Sequence, residues 1–116
     1  MAFDPAPSPP PPTGPASAVV FFDRAELSLL LGLYGRMVAA GHWRDYAIDG
    51  LKDAAVFSVF RRASETPLYR IEKRPALARR QGAWTVSAHG GLVLKRGHEL
   101  AQVLRVFDRA RFAVVD

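Results

Sequence analysis

The residues best suited to chemistry in this sequence are basic, and most of them come in pairs. Four doublets lie between residues 61 and 96: Arg61-Arg62, Lys73-Arg74, Arg79-Arg80 and Lys95-Arg96. With Arg70 they make nine basic residues against two acidic ones, Glu65 and Glu72, so this segment carries +7 while the whole chain carries +5. Clustered cationic side chains attract phosphates by releasing condensed counterions. The pattern therefore predicts a basic zone that binds a polyanion.

The doublets are expected at strand ends or in adjoining loops. Residues 54–74 read as a hairpin, which places Arg61-Arg62 at its turn and Lys73-Arg74 at the opposite end. The predicted contacts to nucleic acid or another polyanion gather at that opposite end: Lys73, Arg74, Arg79, Arg80 and Arg96. Tyr69 and Trp84 are candidates for stacking on bases, although their apolar alternation is more typical of a core. The competing interpretation is that the doublets are solvated turns.

No arrangement of side chains predicts catalysis, a cofactor or a metal ion. His42, His89 and His98 are the three histidines, and no pair has the i, i+4 spacing of ligands on one helix. Cysteine is absent, which excludes disulfides and thiolate chemistry. Acidic and basic residues mix at 42–49, but there they are more simply surface ion pairs. We predict a non-catalytic binding module; the alternative is a protein–protein adaptor, for example for an acidic partner, or a homodimer.

The elements that must position the basic zone are the two strands of the predicted hairpin. Apolar residues load both faces of its first strand, which predicts a place at the centre of the sheet, and a polar turn at 63–67 joins it to the second strand. Further strands are predicted at residues 46–52, 84–88 and 92–95. Short apolar runs at 19–22 and 112–115 are two more candidates.

Two amphipathic helices complete the predicted fold. Asp23 and Glu26 have the spacing of a capping box, and the apolar stripe that follows contains Gly32 and Gly35 on one side, where another backbone is expected to approach. The second helix follows Gly97 and has i, i+3, i+4, i+7 spacing at Leu100, Val103, Leu104 and Phe107. The predicted fold class is α+β: a small antiparallel sheet of about four to five strands with an N-terminal and a C-terminal helix packed on one face.

The N-terminus differs in composition from the rest of the chain. Seven of the nine prolines lie within the first fifteen residues, so we predict a disordered Pro-rich tail at residues 1–16 and a single α+β domain at 17–116. No signal peptide is recognisable, and the most apolar stretch, residues 27–41, is too short to span a bilayer. The expected location is cytoplasmic, with no membrane as partner.

Several phrases of the sequence occur in an order that resembles a known family. They are VFFDRAELSLLLGLYGRMVAAGHWRDYAIDGLKDAAVFSVFRR, PLYRIEK, ARRQG and LVLKRGHELAQVLR. Over nearly all of residues 19–107 the chain resembles a family of unknown function made up of small alphaproteobacterial proteins. The resemblance implies a bacterial, cytoplasmic, single-domain protein. It supplies no catalytic or binding residues.

Overall fold

A computed structural model of the chain describes residues 19–62 and 66–108. Five strands form one sheet: Asp45–Gly50 (β1), Ala55–Phe60 (β2), Tyr69–Lys73 (β3), Trp84–Ala88 (β4) and Val93–Gly97 (β5). Helix α1 spans Arg24–Ala39 and helix α2 spans Leu100–Val103. The tail predicted at residues 1–16 and the candidate strand at 112–115 lie outside the described residues.

The strands are arranged in the order β1-β2-β3-β4-β5, and each is antiparallel to its neighbour. The chain therefore builds the sheet as a meander, in which every strand pairs with the one before it. Strand β2 is buried on both faces, as its apolar residues predict, and β3 is the middle strand. The predicted α+β fold with a five-stranded antiparallel sheet and two helices is confirmed.

Helix α1 begins with the predicted capping box. The backbone N–H of Glu26 donates to Asp23 Oδ1 at 2.8 Å, and the N–H of Asp23 donates to Glu26 Oε1 at 2.8 Å. Two N–H groups that the first turn leaves without helical partners are thus satisfied. The expected close approach at the helix glycines is wrong, because no backbone of a described residue lies within 4 Å of a Cβ built on Gly32 or Gly35. Neither described helix is long and apolar enough to cross a bilayer.

The core lies between the two helices and one face of the sheet. Phe57, Ile71 and Val86 are neighbours in register on β2, β3 and β4, and all three are fully buried. Leu30, Leu33 and Met37 of α1 are buried in the same cluster. The apolar stripe predicted for the second helix is buried there as well: Leu100, Val103, Leu104 and Phe107.

The C-terminal helix is less regular than its stripe predicts. After Val103 the chain makes a turn before residues 106–108 return to helix. The N–H groups of Arg105 and Phe107 donate to carbonyls three residues earlier, which tightens this region into 3₁₀ geometry. This tightening turns Phe107 toward the sheet, where its ring meets those of Trp43 and Tyr69 at centroid distances of 5.2 and 5.0 Å.

The candidate strand at residues 19–22 is wrong. The described part of this run crosses the end of β1, where the N–H of Val20 donates to the Leu51 carbonyl at 2.8 Å. Phe22 then turns inward and stacks on Trp84 at 6.1 Å. Gly50 makes the crossing possible, because a Cβ there would lie 2.9 Å from the Phe21 ring. The apolar run thus serves to bury Phe22 rather than to form a ladder.

Candidate functional site

Side chains alternate between the two faces of the sheet, and this alternation decides which basic residues reach solvent on the same side. On β3, Tyr69, Ile71 and Lys73 point toward the helices, while Arg70 and Glu72 point to the opposite face, which we call the open face. The open face therefore carries a different set of charges from the helix-covered face.

A groove of about 570 Å³ follows β3 and β4 along the open face. Thr85 and Ser87 of β4 line it, together with one acidic and three basic side chains: Arg70, Glu72, Arg74 and Arg96. At one end lie Thr66 and the 3₁₀ turn His89–Gly91, and at the other lies Leu77 of the 3₁₀ turn Pro75–Leu77. Three guanidinium groups against one carboxylate leave the lining with a net positive charge.

The charges of the groove are only partly paired. Arg74 Nε donates to Glu72 Oε1 at 3.0 Å, and Arg96 Nη1 donates to the Gln81 side-chain oxygen at 3.4 Å. Within residues 19–62 and 66–108, neither Arg70 nor Arg96 forms an ion pair with a carboxylate. Among these residues, two guanidinium groups thus have no carboxylate partner, and the third is paired with its acidic neighbour.

Two hydroxyl groups lie beside these charges. Thr85 is 9% exposed and Ser87 is 7% exposed. In register, Thr85 lies between Glu72 on β3 and Arg96 on β5, and Ser87 lies opposite Arg70. No described residue forms a hydrogen bond with either hydroxyl. Since buried polar groups normally have partners, these hydroxyls are available to a ligand or to water.

The five residues predicted from sequence as polyanion contacts are distributed over three environments. Arg74 and Arg96 line the groove. Arg79 and Arg80 are exposed in the β3–β4 loop and are not part of the lining. Lys73 lies on the helix-covered face, where its Nζ donates to Glu26 Oε1 at 2.7 Å and to the Phe21 carbonyl at 2.9 Å.

The aromatic residues considered for base stacking are both committed to the core. Trp84 is buried and stacks on Phe22, and Tyr69 meets Phe107 edge to face. Both rings pack against the core on the helix-covered side, although Tyr69 is only partly buried and also borders the groove. The apolar alternation of these two residues, which indicates a core, is the better guide, since both rings pack against aromatic residues of the core.

Sequence reasoning missed three members of the groove. Arg70, Thr85 and Ser87 belong to strands that were predicted, but the prediction did not pair those strands in register. A signal was available, because Tyr69 and Ile71 alternate with Arg70, and Trp84 and Val86 alternate with the two hydroxyl residues. Pairing apolar residues across the two strands would have placed the three polar residues on one face.

Two of the three histidines, His89 and His98, each contact a different group. His89 Nδ1 lies 3.2 Å from the Thr66 hydroxyl, and His98 Nδ1 lies 3.1 Å from the Ala78 carbonyl. Across residues 19–62 and 66–108, no three His, Asp or Glu side chains gather where they could hold a metal ion. The groove's chemistry is therefore that of guanidinium and hydroxyl donors.

A second surface feature lies where α1 meets the edge strand β1. The Tyr34 and Tyr46 rings touch edge to face at 4.8 Å, and the Tyr34 hydroxyl donates to the Arg44 carbonyl at 2.7 Å. Burial of this hydroxyl, and to a lesser degree the Asp45 carboxylate and Tyr46, raise the pKa of Tyr34 above its ordinary value of 10.0. Tyr46 and three other apolar side chains of α1 and β1 are each 39–44% exposed, and we call these four residues the α1–β1 strip: Leu31, Val38, Tyr46 and Ile48.

Comparison with known proteins gives a family for the chain. The family model described as "Protein of unknown function (DUF2794)" matches residues 20–104. No curated protein and no solved structure matches the chain. The resemblance to a family of unknown function is thereby confirmed, while the alphaproteobacterial origin stays a prediction. Because the match covers well over half of the 116 residues, the chain belongs to the DUF2794 family of proteins of unknown function.

Proposed function

We propose that this protein is a non-catalytic binding module for a polyanion and that the groove on the open face is its binding surface. One observation carries the proposal: within the described part of the chain, Arg70 and Arg96 have no carboxylate partner, and they line the same groove as two buried residues, Thr85 and Ser87, whose hydroxyls have no hydrogen-bond partner there. Uncompensated cations beside unsatisfied donors are what an anionic ligand requires.

The choice of arginine supports the same conclusion. All three cations of the groove are Arg, whose planar guanidinium binds oxyanions through two parallel hydrogen bonds. The exposed pair Arg79-Arg80 extends the positive charge along the loop that borders the groove. Nucleic acid is one polyanion that such a surface can bind, through its phosphates alone.

A charge-matched pair of variants tests the proposal. The groove variant R70Q/R74Q/R96Q and the control R24Q/R36Q/R105Q remove the same number of charges, and the control residues are exposed and lie on or beside the helices. At about 50 mM salt, where phosphate contacts are strongest, we expect the groove variant to bind polyphosphate or single-stranded DNA at least tenfold more weakly than wild type, and the control to lose less than threefold. Circular dichroism verifies the fold of both variants.

Two outcomes contradict the proposal. Equal losses from the groove variant and the control would reduce the effect to net charge. Failure of the wild-type protein to bind any polyanion at about 50 mM salt, the condition most favourable to phosphate contacts, would leave the groove without this function.

The α1–β1 strip favours a second candidate function, association of two copies of this chain. Four half-exposed apolar side chains adjoin β1, which forms one edge of the sheet. Exposed apolar patches and unprotected edges are typical of association surfaces. Light scattering measures the mass in solution. This candidate is supported if the wild type has twice the mass of one chain and Ile48→Glu reduces it to that of one chain. The control Leu92→Glu, at an exposed residue beside the opposite edge strand β5, should keep the twofold mass. A monomeric wild type rules the candidate out.

A further inference from the structure

Resting on the proposed function, we infer that the ligand of the groove is a compact molecule carrying a phosphate group, which is held at Thr85 between Arg74 and Arg96, and is not a nucleic-acid chain. Two features of the groove favour such a ligand: the donors near Thr85, and a described lining that contains no Phe or Trp ring.

Each donor near Thr85 has one side-chain contact of its own. Glu72 lies beside Thr85 in register and holds Arg74 through Nε, which leaves the two terminal nitrogens of that guanidinium for a ligand. On the other side, Arg96 lies beside Thr85 in register and is held by Gln81. Two guanidinium groups therefore line the groove with Thr85, a buried residue whose hydroxyl has no hydrogen-bond partner among the described residues.

This donor set matches a phosphate better than a carboxylate. A carboxylate has two oxygens, and one guanidinium fork is enough to occupy both. A terminal phosphate group offers three oxygens in a tetrahedral arrangement, which lets two guanidinium groups and the Thr85 hydroxyl each find a separate acceptor. A phosphate also carries more negative charge than one carboxylate at neutral pH, which suits the uncompensated lining.

The groove favours a small ligand over a nucleic-acid chain. Proteins that bind single strands present aromatic side chains on which bases stack. Among the described lining residues, the Tyr69 ring is packed against Phe107 and Trp43, and the His89 imidazole is in contact with the Thr66 hydroxyl. The 3.2 Å contact between Thr66 and His89 bounds one end. The groove volume of about 570 Å³ lies within the range of sites that bind small molecules, and it therefore suits a compact ligand.

Calorimetric titration of the full chain with pyrophosphate tests the inference. Thr85→Val removes the hydroxyl and keeps the branched shape, and Ser58→Ala removes a buried hydroxyl on the open face outside the groove. We expect pyrophosphate to bind the wild type, Thr85→Val to weaken binding about tenfold, as loss of a hydrogen bond to a charged group does, and Ser58→Ala to change it less than twofold. Malonate, a dicarboxylate, should bind at least tenfold more weakly than pyrophosphate.

Further titrations identify the source of the phosphate group. They also distinguish failure of this inference from failure of the proposed function. Tighter binding of glycerol phosphate than of inorganic phosphate indicates an organic phosphomonoester, and the reverse indicates the free anion. An unchanged affinity in Thr85→Val overturns the inference. The inference is also overturned if single-stranded DNA binds in a way that requires Arg70 and Arg96 and pyrophosphate does not displace it. In that case the proposed function survives. If no anion binds, the inference and the proposed function both fail.

Discussion

Lys73 belongs to the basic zone of the sequence but performs a structural task in the fold. Its ammonium bridges the Glu26 carboxylate and the Phe21 carbonyl, and the side chains of Lys73 and Glu26 are only 19% and 20% exposed. Lys73→Met should therefore lower the free energy of unfolding by about 1–2 kcal/mol, because a partly buried carboxylate and an exposed carbonyl lose their donor. Urea denaturation measures this loss, and Lys95→Met, at an exposed position, should change stability by less than about 0.5 kcal/mol.

The same variant separates a structural residue from a ligand contact. Because Lys73 lies on the helix-covered face, folded Lys73→Met should bind a polyanion as well as the wild type does. A loss of affinity equal to that of an arginine variant of the groove, at unchanged stability, would show that Lys73 contacts the ligand.

Two glycines are expected to respond in opposite ways to the same substitution. Gly35 lies inside α1 with open space where a Cβ would be, so Gly35→Ala should raise the free energy of unfolding by about 0.5–1 kcal/mol. Gly82 has a φ of +101° and a Cβ there would collide with the Gly97 carbonyl, so Gly82→Ala should destabilise the fold. Thermal melting compares the two, and a lower melting temperature for Gly35→Ala would mean that another group packs against α1.

At the scale of elements, the C-terminal segment that contains α2 is anchored to the core mainly by Phe107, which follows the helix. The Phe107 ring is 1% exposed and meets two aromatic rings of the core, whereas Leu104 is 9% exposed. We expect Phe107→Ala to cost about 3–5 kcal/mol and Leu104→Ala about 2–3 kcal/mol, at the lower end of the range for buried Leu. Denaturant midpoints give both values, and an unchanged midpoint in Phe107→Ala would contradict this packing.

The elements were predictable wherever apolar spacing was continuous. The Asp23–Glu26 capping box and the alternation around Tyr69 and Val86 identify α1, β3 and β4 without tertiary information. The run at 19–22 has the composition of a strand, but tertiary contacts decide its state, since Phe22 is buried and stacks on Trp84.

The candidate site was predictable in part, for a reason that lies in the geometry of strands. Lys73 and Arg74 are adjacent in the sequence, so they were grouped together, yet neighbouring residues of a strand point to opposite faces. Lys73 points toward the helices, while Arg74 lines the groove. Thr85 and Ser87 look like ordinary strand residues until register shows which charges flank them.

At the scale of the whole molecule, the Pro-rich segment should be dispensable for stability. Residues 1–16 have no apolar periodicity that could repay the entropy of ordering them. Deleting them should change the melting temperature by no more than about 2 °C, since an unpacked segment contributes almost nothing to the free energy of unfolding. Differential scanning calorimetry of both forms makes the comparison, and a large drop would mean that the segment packs against the domain.

Because strand order follows chain order, the sheet has consequences for the speed of folding. Each hairpin closes a short loop, and proteins rich in such local pairings fold fast for their size. The Phe22–Trp84 stack joins distant parts of the chain, so it should form after the rate-limiting step. Stopped-flow measurements should then show that Phe22→Leu accelerates unfolding and leaves the folding rate nearly unchanged, whereas Val59→Ala in the first hairpin slows folding.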